Sequence, residues 1–325
     1  MHRTTIVIGI YLVVIGLILT AIGYFTHAPK TVVWDNGLQV SQQVETSKKV
    51  ADFSKINVSG QDGNVKIVSG YHYNVKVSGD KRQVPQYTVK KNTLYINKQQ
   101  QAKVGFFGKQ TITITVPTSQ KISKLTANVG NGDLDLTNVK IDQMSINELA
   151  SDDSDSINLD SVEVARSANI NLSRSVLHVK DSTLNDLDLE SGLANNDSTT
   201  EDEIKNETAS LRNFTINNSR LNNSQIELHS NNLDIRKSVL NQFSAKSDYG
   251  RVKVAKSNLL ATNSFEINRG DFNGQDLKVD GLDLSNKRGS IEYFGHRASQ
   301  NNYRYNADAN DLLRVSGQNL RIRIK

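Results

Sequence analysis

The sequence predicts an all-β protein, a β-solenoid of the parallel β-helix type with about 20 residues per turn, preceded by one N-terminal transmembrane helix. Three observations carry this reading. Short runs such as NVKIVSG, YNVKVSG, TLYINK and TITITVP alternate apolar and polar residues with period two. Apolar-x-apolar anchors recur at a nearly constant spacing beyond residue 130, and Asn, Gly and Ser cluster between the runs. No segment past residue 26 holds a 3.6-residue pattern.

Composition narrows the chemistry. The 325 residues include no cysteine, three prolines (Pro29, Pro85, Pro117), one tryptophan and 35 asparagines. Disulfide frameworks, Cys-based metal sites and thiol chemistry are excluded. The net charge of +5 is striped along the chain: residues 1–132 carry 16 Lys and Arg against 5 Asp and Glu, residues 133–235 carry 7 against 20, and residues 236–325 carry 16 against 9.

Residues 1–28 read as a membrane anchor. From Thr4 to Thr26 no residue is charged, which at about 1.5 Å per residue covers a ~30 Å hydrocarbon core. A cleavable signal peptide would have a shorter apolar region, and the small-residue site Thr26-His27-Ala28 is followed by Pro29. Arg3 before the helix and Tyr24 and Phe25 at its exit favour a cytoplasmic N-terminus and an extracellular C-terminal domain. A cysteine-free exported domain on such an anchor suggests a Gram-positive cell membrane. The Asn-X-Ser/Thr matches are what an Asn- and Ser-rich chain gives by chance.

Residues 29–50 read as a polar linker and residues 51–132 as basic first strands of the solenoid. Residues 133–295 form the repeat. Its first anchor is Leu134/Leu136, Ile157/Leu159, Leu177/Val179, Phe214/Ile216, Leu233/Ile235, Val252/Val254, Phe272 and Ile291/Tyr293, with spacings of 23, 20, 37, 19, 19, 20 and 19. A loop insertion at about 194–210 brings the spacing of 37 back to 20. A second anchor follows the first about half a turn later, from Met144/Ile146 through Ile170/Leu172, Leu187/Leu189, Ile226/Leu228, Phe243/Ala245 and Phe265/Ile267 to Leu282/Leu284. Two inward-facing strands per turn give one continuous core, and Asn and Gly serve the tight corners. Residues 296–325 read as a C-terminal cap, in which the alternating Leu312 to Lys325 closes the open strand edge.

The order TITITVP (111–117), then KLTANVGNGDLDLTNV (124–139) with its Gly-Asn-Gly-Asp turn, then degenerate strand repeats, resembles the bacterial β-strand-repeat "putative adhesin" family, a domain of unknown function common in Gram-positive genomes. The resemblance spans roughly residues 50 to 295. It implies an anchored or exported β-solenoid, sometimes associated with envelope stress response, and it supplies no catalytic residues.

Catalytic and metal motifs are not apparent. The six histidines show no HExxH or HxxxH spacing, and no Gly-x-Ser-x-Gly elbow or Walker loop is present. Gly130-Asn131-Gly132-Asp133 reads as a corner turn, and Asp152, Asp153, Asp155 and the segment Asn195 to Glu207 read as polar loops. No cofactor is expected. Nucleic acid is not expected as a partner, because aromatic-interleaved basic patches are absent.

Two charged sets remain as candidate sites. Lys48, Lys49, Lys55, Lys66, Lys76, Lys81, Arg82, Lys90 and Lys91, extended by Lys98, Lys103, Lys109, Lys121 and Lys124, face few acids and follow the anchor closely. They suggest docking on anionic wall polymer or lipid headgroups. The outward residues between the second anchors form an acidic column, Asp188 with Glu227 and Glu266 with Asp283, in which adjacent carboxylates would lie about 5 Å apart. That column reads as a solvated face, a weak calcium site or a glycosidase-like pair.

The leading expectation is a non-enzymatic, membrane-anchored extracellular surface protein that binds or senses an envelope or cell-surface component, adhesin-like. The alternatives are a regulatory partner of a membrane-bound envelope-stress sensor and an extracellular polysaccharide-active β-helix enzyme.

Overall fold

The computed structural model describes residues 9, 11–17, 32–34, 38–40, 42–61, 63–81, 84–97, 110–149, 155–192 and 211–325. Of the expected anchor, residues 9 and 11–17 are helical and the remainder lies outside the described residues. No described helix is long and apolar enough to cross a membrane.

Among the described residues, strands β1 (Val32–Trp34) and β2 (Leu38–Val40) form a hairpin, and 24 further strands join in one sheet. They begin with β3 (Gln43–Lys49), β4 (Lys55–Gln61), β5 (Asn64–Gly70), β6 (Asn74–Asp80), β7 (Gln86–Lys90), β8 (Thr93–Asn97), β9 (Thr111–Pro117), β10 (Ile122–Val129) and β11 (Leu134–Thr137). Strands β12 to β22 lie between Lys140 and Gln275, the last of them β22 (Thr262–Gln275). The chain ends with β23 (Gly281–Tyr293), β24 (His296–Arg297), β25 (Asn302–Tyr305) and β26 (Leu312–Ile324).

In the repeat, each turn has a first face, a short side and a second face, and over residues 134–255 the strands pair in parallel with their equivalents one turn on. The first face is the ladder Asp135, Asn158, His178, Thr215, Asp234, Lys253, Asn273. The long step in sequence from His178 to Thr215 keeps this ladder unbroken. The expected insertion at 194–210 lies outside the described residues. Leu136, Leu159, Val179, Ile216, Ile235 and Val254 alternate with the ladder and are buried in a single core.

Corners explain the turn composition. Between the first face and the short side the chain passes through the left-handed region at Asn138, Ser161, Asp181, Asn218, Lys237, Lys256 and Asp276. Asn and Asp tolerate this conformation, and the exposed lysines there accept its cost. Each of these residues donates its backbone N–H to a carbonyl of the next turn, as Asn218 does to Arg236 at 3.0 Å. The corner from the second face to the next first face uses glycine. A Cβ at Gly270 would lie 1.8 Å from the Gly250 carbonyl oxygen, so no other residue can stack there. The Gly-Asn-Gly-Asp turn occupies this corner too: Gly132 N–H donates to the buried Asp155 carboxylate at 2.7 Å, and Asp133 accepts from the Ser156 amide at 3.0 Å.

Both ends depart from the expected order. At the N-terminal end β4 and β5 stack in parallel on β10 and β11, while β8 and β9 add to their other side. Strands β7 and β6 then close that end antiparallel to β8 and β9. Residues 43–49, expected in the linker, are β3, which pairs antiparallel with β6. At the C-terminal end β26 does not cap. It lies between β22 and β23, parallel to both, and β23 is covered by the antiparallel β24 and β25. Side-chain alternation identifies β26 as a strand, but alternation does not say which neighbour a strand takes.

Candidate functional site

The basic residues of the first strands fall into two groups, because successive strands of this region lie on different faces. On the first face Lys66 meets Asp135 at 3.1 Å and Lys76 meets Glu45 at 2.8 Å. Lys121 is held by Asp142, whose carboxyl is pulled below its ordinary value mainly by that hydrogen bond and also by Arg166. These charges are neutralised. Lys48 and Lys49 lie on β3, and Lys81 follows β6. Arg82, Lys98, Lys103 and Lys109 lie outside the described residues.

On the second face the register brings separate segments together. Lys90 stands opposite Thr93, Thr93 beside Lys55, and Lys55 beside Lys124. Four adjacent strands at about 4.8 Å spacing thus carry three exposed lysines in a row roughly 14 Å long. Lys91 follows at the left-handed turn to β8. The long stretch of chain between Lys55 and Lys124 conceals this juxtaposition in the sequence. Among the described residues none of these four lysines has an ion-pair partner. Directly opposed like charges in a ladder repel, so an anion bridging them relieves a repulsion that the fold imposes.

The acidic column does not form as expected. Asp188 faces Gln225, which donates to it at 2.9 Å, and Glu227 stands between Glu190 and Lys246. Glu266 is separated from Glu227 by Lys246, whose ammonium lies 3.2 Å from Glu227 and is held above its ordinary value chiefly by that hydrogen bond. Asp283 is one turn beyond β26, between Arg304 at 3.1 Å and Arg314 at 3.9 Å. The physical reason is a two-residue slip. Inward positions of the second face are occupied by Ala168, Ser224 and Asn263 as well as by large apolar residues, so pairing by apolar residues alone chose the wrong partners. Glu190 and Glu227 are the carboxylates that the true register opposes. No group of three or more His, Cys, Asp or Glu among the described residues could hold a metal ion.

The first-face column matches the expected list, with Arg323 of β26 interposed between Asn273 and Glu292. His178 in this column is half-buried between Asn158 and Thr215, shares a 2.8 Å hydrogen bond with the Thr215 hydroxyl, and is pushed below its ordinary pKa by burial. His229 bonds the Asp248 carboxylate at 3.0 Å.

Sequence reasoning missed the serine ladder. Ser182, Ser219, Ser238 and Ser257 are buried one residue after the left-handed corner. Each hydroxyl accepts the backbone N–H of the previous turn at 2.9–3.2 Å and donates to the carbonyl two residues before it at 2.6–2.9 Å. The signal was present as Asp-Ser-Thr-Leu (181–184), Asn-Ser-Arg-Leu (218–221), Lys-Ser-Val-Leu (237–240) and Lys-Ser-Asn-Leu (256–259), and it would have fixed the register.

A family model described as Toastrack DUF4097 matches residues 53–311, most of the sheet just described. The chain belongs to this family. The Toastrack domain is one of unknown function. No curated protein matches the chain. Among solved structures, a "putative adhesin" of Bacteroides fragilis is 14% identical, with 87% of this chain and 97% of that chain covered and a TM-score of 0.39. A "putative adhesin" of Parabacteroides distasonis is 13% identical, with 87% and 98% covered and a TM-score of 0.48. A "putative lipid binding protein" of the same organism is 12% identical, with 87% and 97% covered and a TM-score of 0.35.

Proposed function

We propose that this Toastrack protein is a non-enzymatic envelope surface protein, held by its apolar segment 4–26 with the solenoid outside the cell, and that its N-terminal end docks on an anionic polymer or lipid surface. The observation that carries the reading is the row Lys90, Lys55, Lys124 with Lys91 beside it, exposed and without acidic partners among the described residues. It lies at the end of the sheet where the chain enters through β3, and so nearest in sequence to the anchor. A basic residue near an anionic surface contributes about 1 kcal/mol, screened within a Debye length of ~10 Å at 0.1 M salt.

Sedimentation of the domain from residue 42 onward with anionic and neutral vesicles, and with teichoic-acid-bearing and stripped walls, tests this. Binding to the charged surfaces should fall steeply with salt. Lys55→Glu with Lys124→Glu should weaken it about tenfold or more, whereas Lys66→Gln with Lys76→Gln should change it little. Equal binding to charged and neutral surfaces would sink the proposal.

A further inference from the structure

The C-terminal strand occupies a place that the repeat does not reserve for it. Phe272 and Ile291 flank Ile322 in the ladder, and Phe265 and Leu284 flank Val315. The members of each outer pair keep the same interval in sequence that separates Phe214 from Leu233 and Leu233 from Val252 on directly paired strands. Strand β23 thus keeps the spacing of a turn that stacks on β22, yet it stands two strand spacings away, about 9.6 Å, with β26 between. The ladder on one side of β26 runs from Thr262 with Leu312 to Gly274 with Ile324, and on the other from Gly281 with Leu312 to Tyr293 with Ile324.

The insert is complementary to both neighbours. Its inward residues Leu313, Val315, Leu320, Ile322 and Ile324 are buried in the core. Its outward arginines meet carboxylates of the two flanking strands: Arg314 lies 3.9 Å from Asp283, Arg321 3.7 Å from Asp271 and Arg323 3.7 Å from Glu292. The strands it would leave behind have the spacing to pair with each other. The family match ends at residue 311, immediately before it.

We propose that the slot between β22 and β23 is a strand-acceptor site whose partner is the segment 312–325 of a second copy of this chain. Exchange of an identical element reproduces every contact of the closed monomer, so it costs little beyond association itself. The released strand presents an alternating apolar and basic edge, which the acidic, apolar slot of another copy recognises as its own.

The chain has no cysteine, which permits a clean trap. Glu266 of β22 and Ser316 of β26 are Cα partners in the ladder. The full chain carrying E266C and S316C together should close an internal disulfide, read as monomer with loss of free thiol. Two full chains with different tags, one E266C and one S316C, mixed under mild oxidation, should give a disulfide-linked heterodimer. Its yield should exceed at least tenfold that of a control mixture in which N147C, on a distant turn, replaces S316C. An internal disulfide in the double variant with no heterodimer above the control would overturn the exchange. Failure of the double variant to close would overturn the placement of the strand itself, and equal heterodimer from the control mixture would show only collision and overturn the exchange as well.

Discussion

At Ser238 the hydroxyl accepts the Ser219 amide at 3.2 Å and donates to the Arg236 carbonyl at 2.7 Å, in a buried corner. Ser238→Ala leaves that amide without its acceptor, which should cost about 1–3 kcal/mol, read as a lowered midpoint in urea unfolding. Gly270→Ala should be worse, because its Cβ meets a carbonyl at 1.8 Å in a φ of 139° that alanine avoids; the soluble yield and the melt both report it. His178 gives a pH signature. Burial lowers its folded pKa, so as pH falls through about 6.5 the unfolded chain takes up a proton that the folded chain refuses, and stability falls below that pH. The facing residues Asn158 and Thr215 are neutral. His178→Gln should therefore lose less Tm between pH 7.5 and pH 5.5 than the parent, and an equal loss would remove His178 as the cause.

Among the elements, the strands of the repeat were legible wherever large apolar residues mark both inward positions, as at Leu233 and Ile235 or Val252 and Val254. The second face was less legible, because Ser224 and Asn263 are buried inward residues that bond backbone groups at a corner. Ser224 accepts the Leu187 amide at 3.3 Å, and Asn263 accepts the Phe243 amide at 3.2 Å. A polar residue placed inward for such a reason breaks the apolar pattern and slips the count. The insertion makes a separate test, since His178 pairs directly with Thr215 although the chain between them is nearly twice as long as in the neighbouring turns. Deleting residues 195–208 should change stability by less than about 1 kcal/mol, since loop length contributes weakly. Leu233→Asp in the next turn, 1% exposed in the parent, buries an unpaired charge and should cost about 4 kcal/mol or more. Thermal melts of both variants decide, and unfolding by the deletion would contradict the register.

On the scale of the whole molecule, topology is the quantity to measure: protease added to intact protoplasts should digest the solenoid, and full protection would reverse the proposed orientation. The charge stripes, +11, −13 and +7 by segment, do not translate into three charged blocks, because the fold pairs many of them across turns, as Lys66 with Asp135 and Arg321 with Asp271. What survives is the lysine row of the second face. By itself the sequence determined the all-β class, the length of the repeating turn, the first-face column and the family resemblance, since alternation and period are local properties that every turn repeats. Only the tertiary structure decided which strands are neighbours at the two ends: β8 and β9 beside β4 and β5, and β26 between β22 and β23. Every strand edge in a parallel ladder offers the same row of N–H and C=O groups, so alternation states which face of a strand is buried but not which edge it joins. That choice rests on inward side chains meeting across the core and on charges meeting across a ladder, contacts that exist only once the chain has folded.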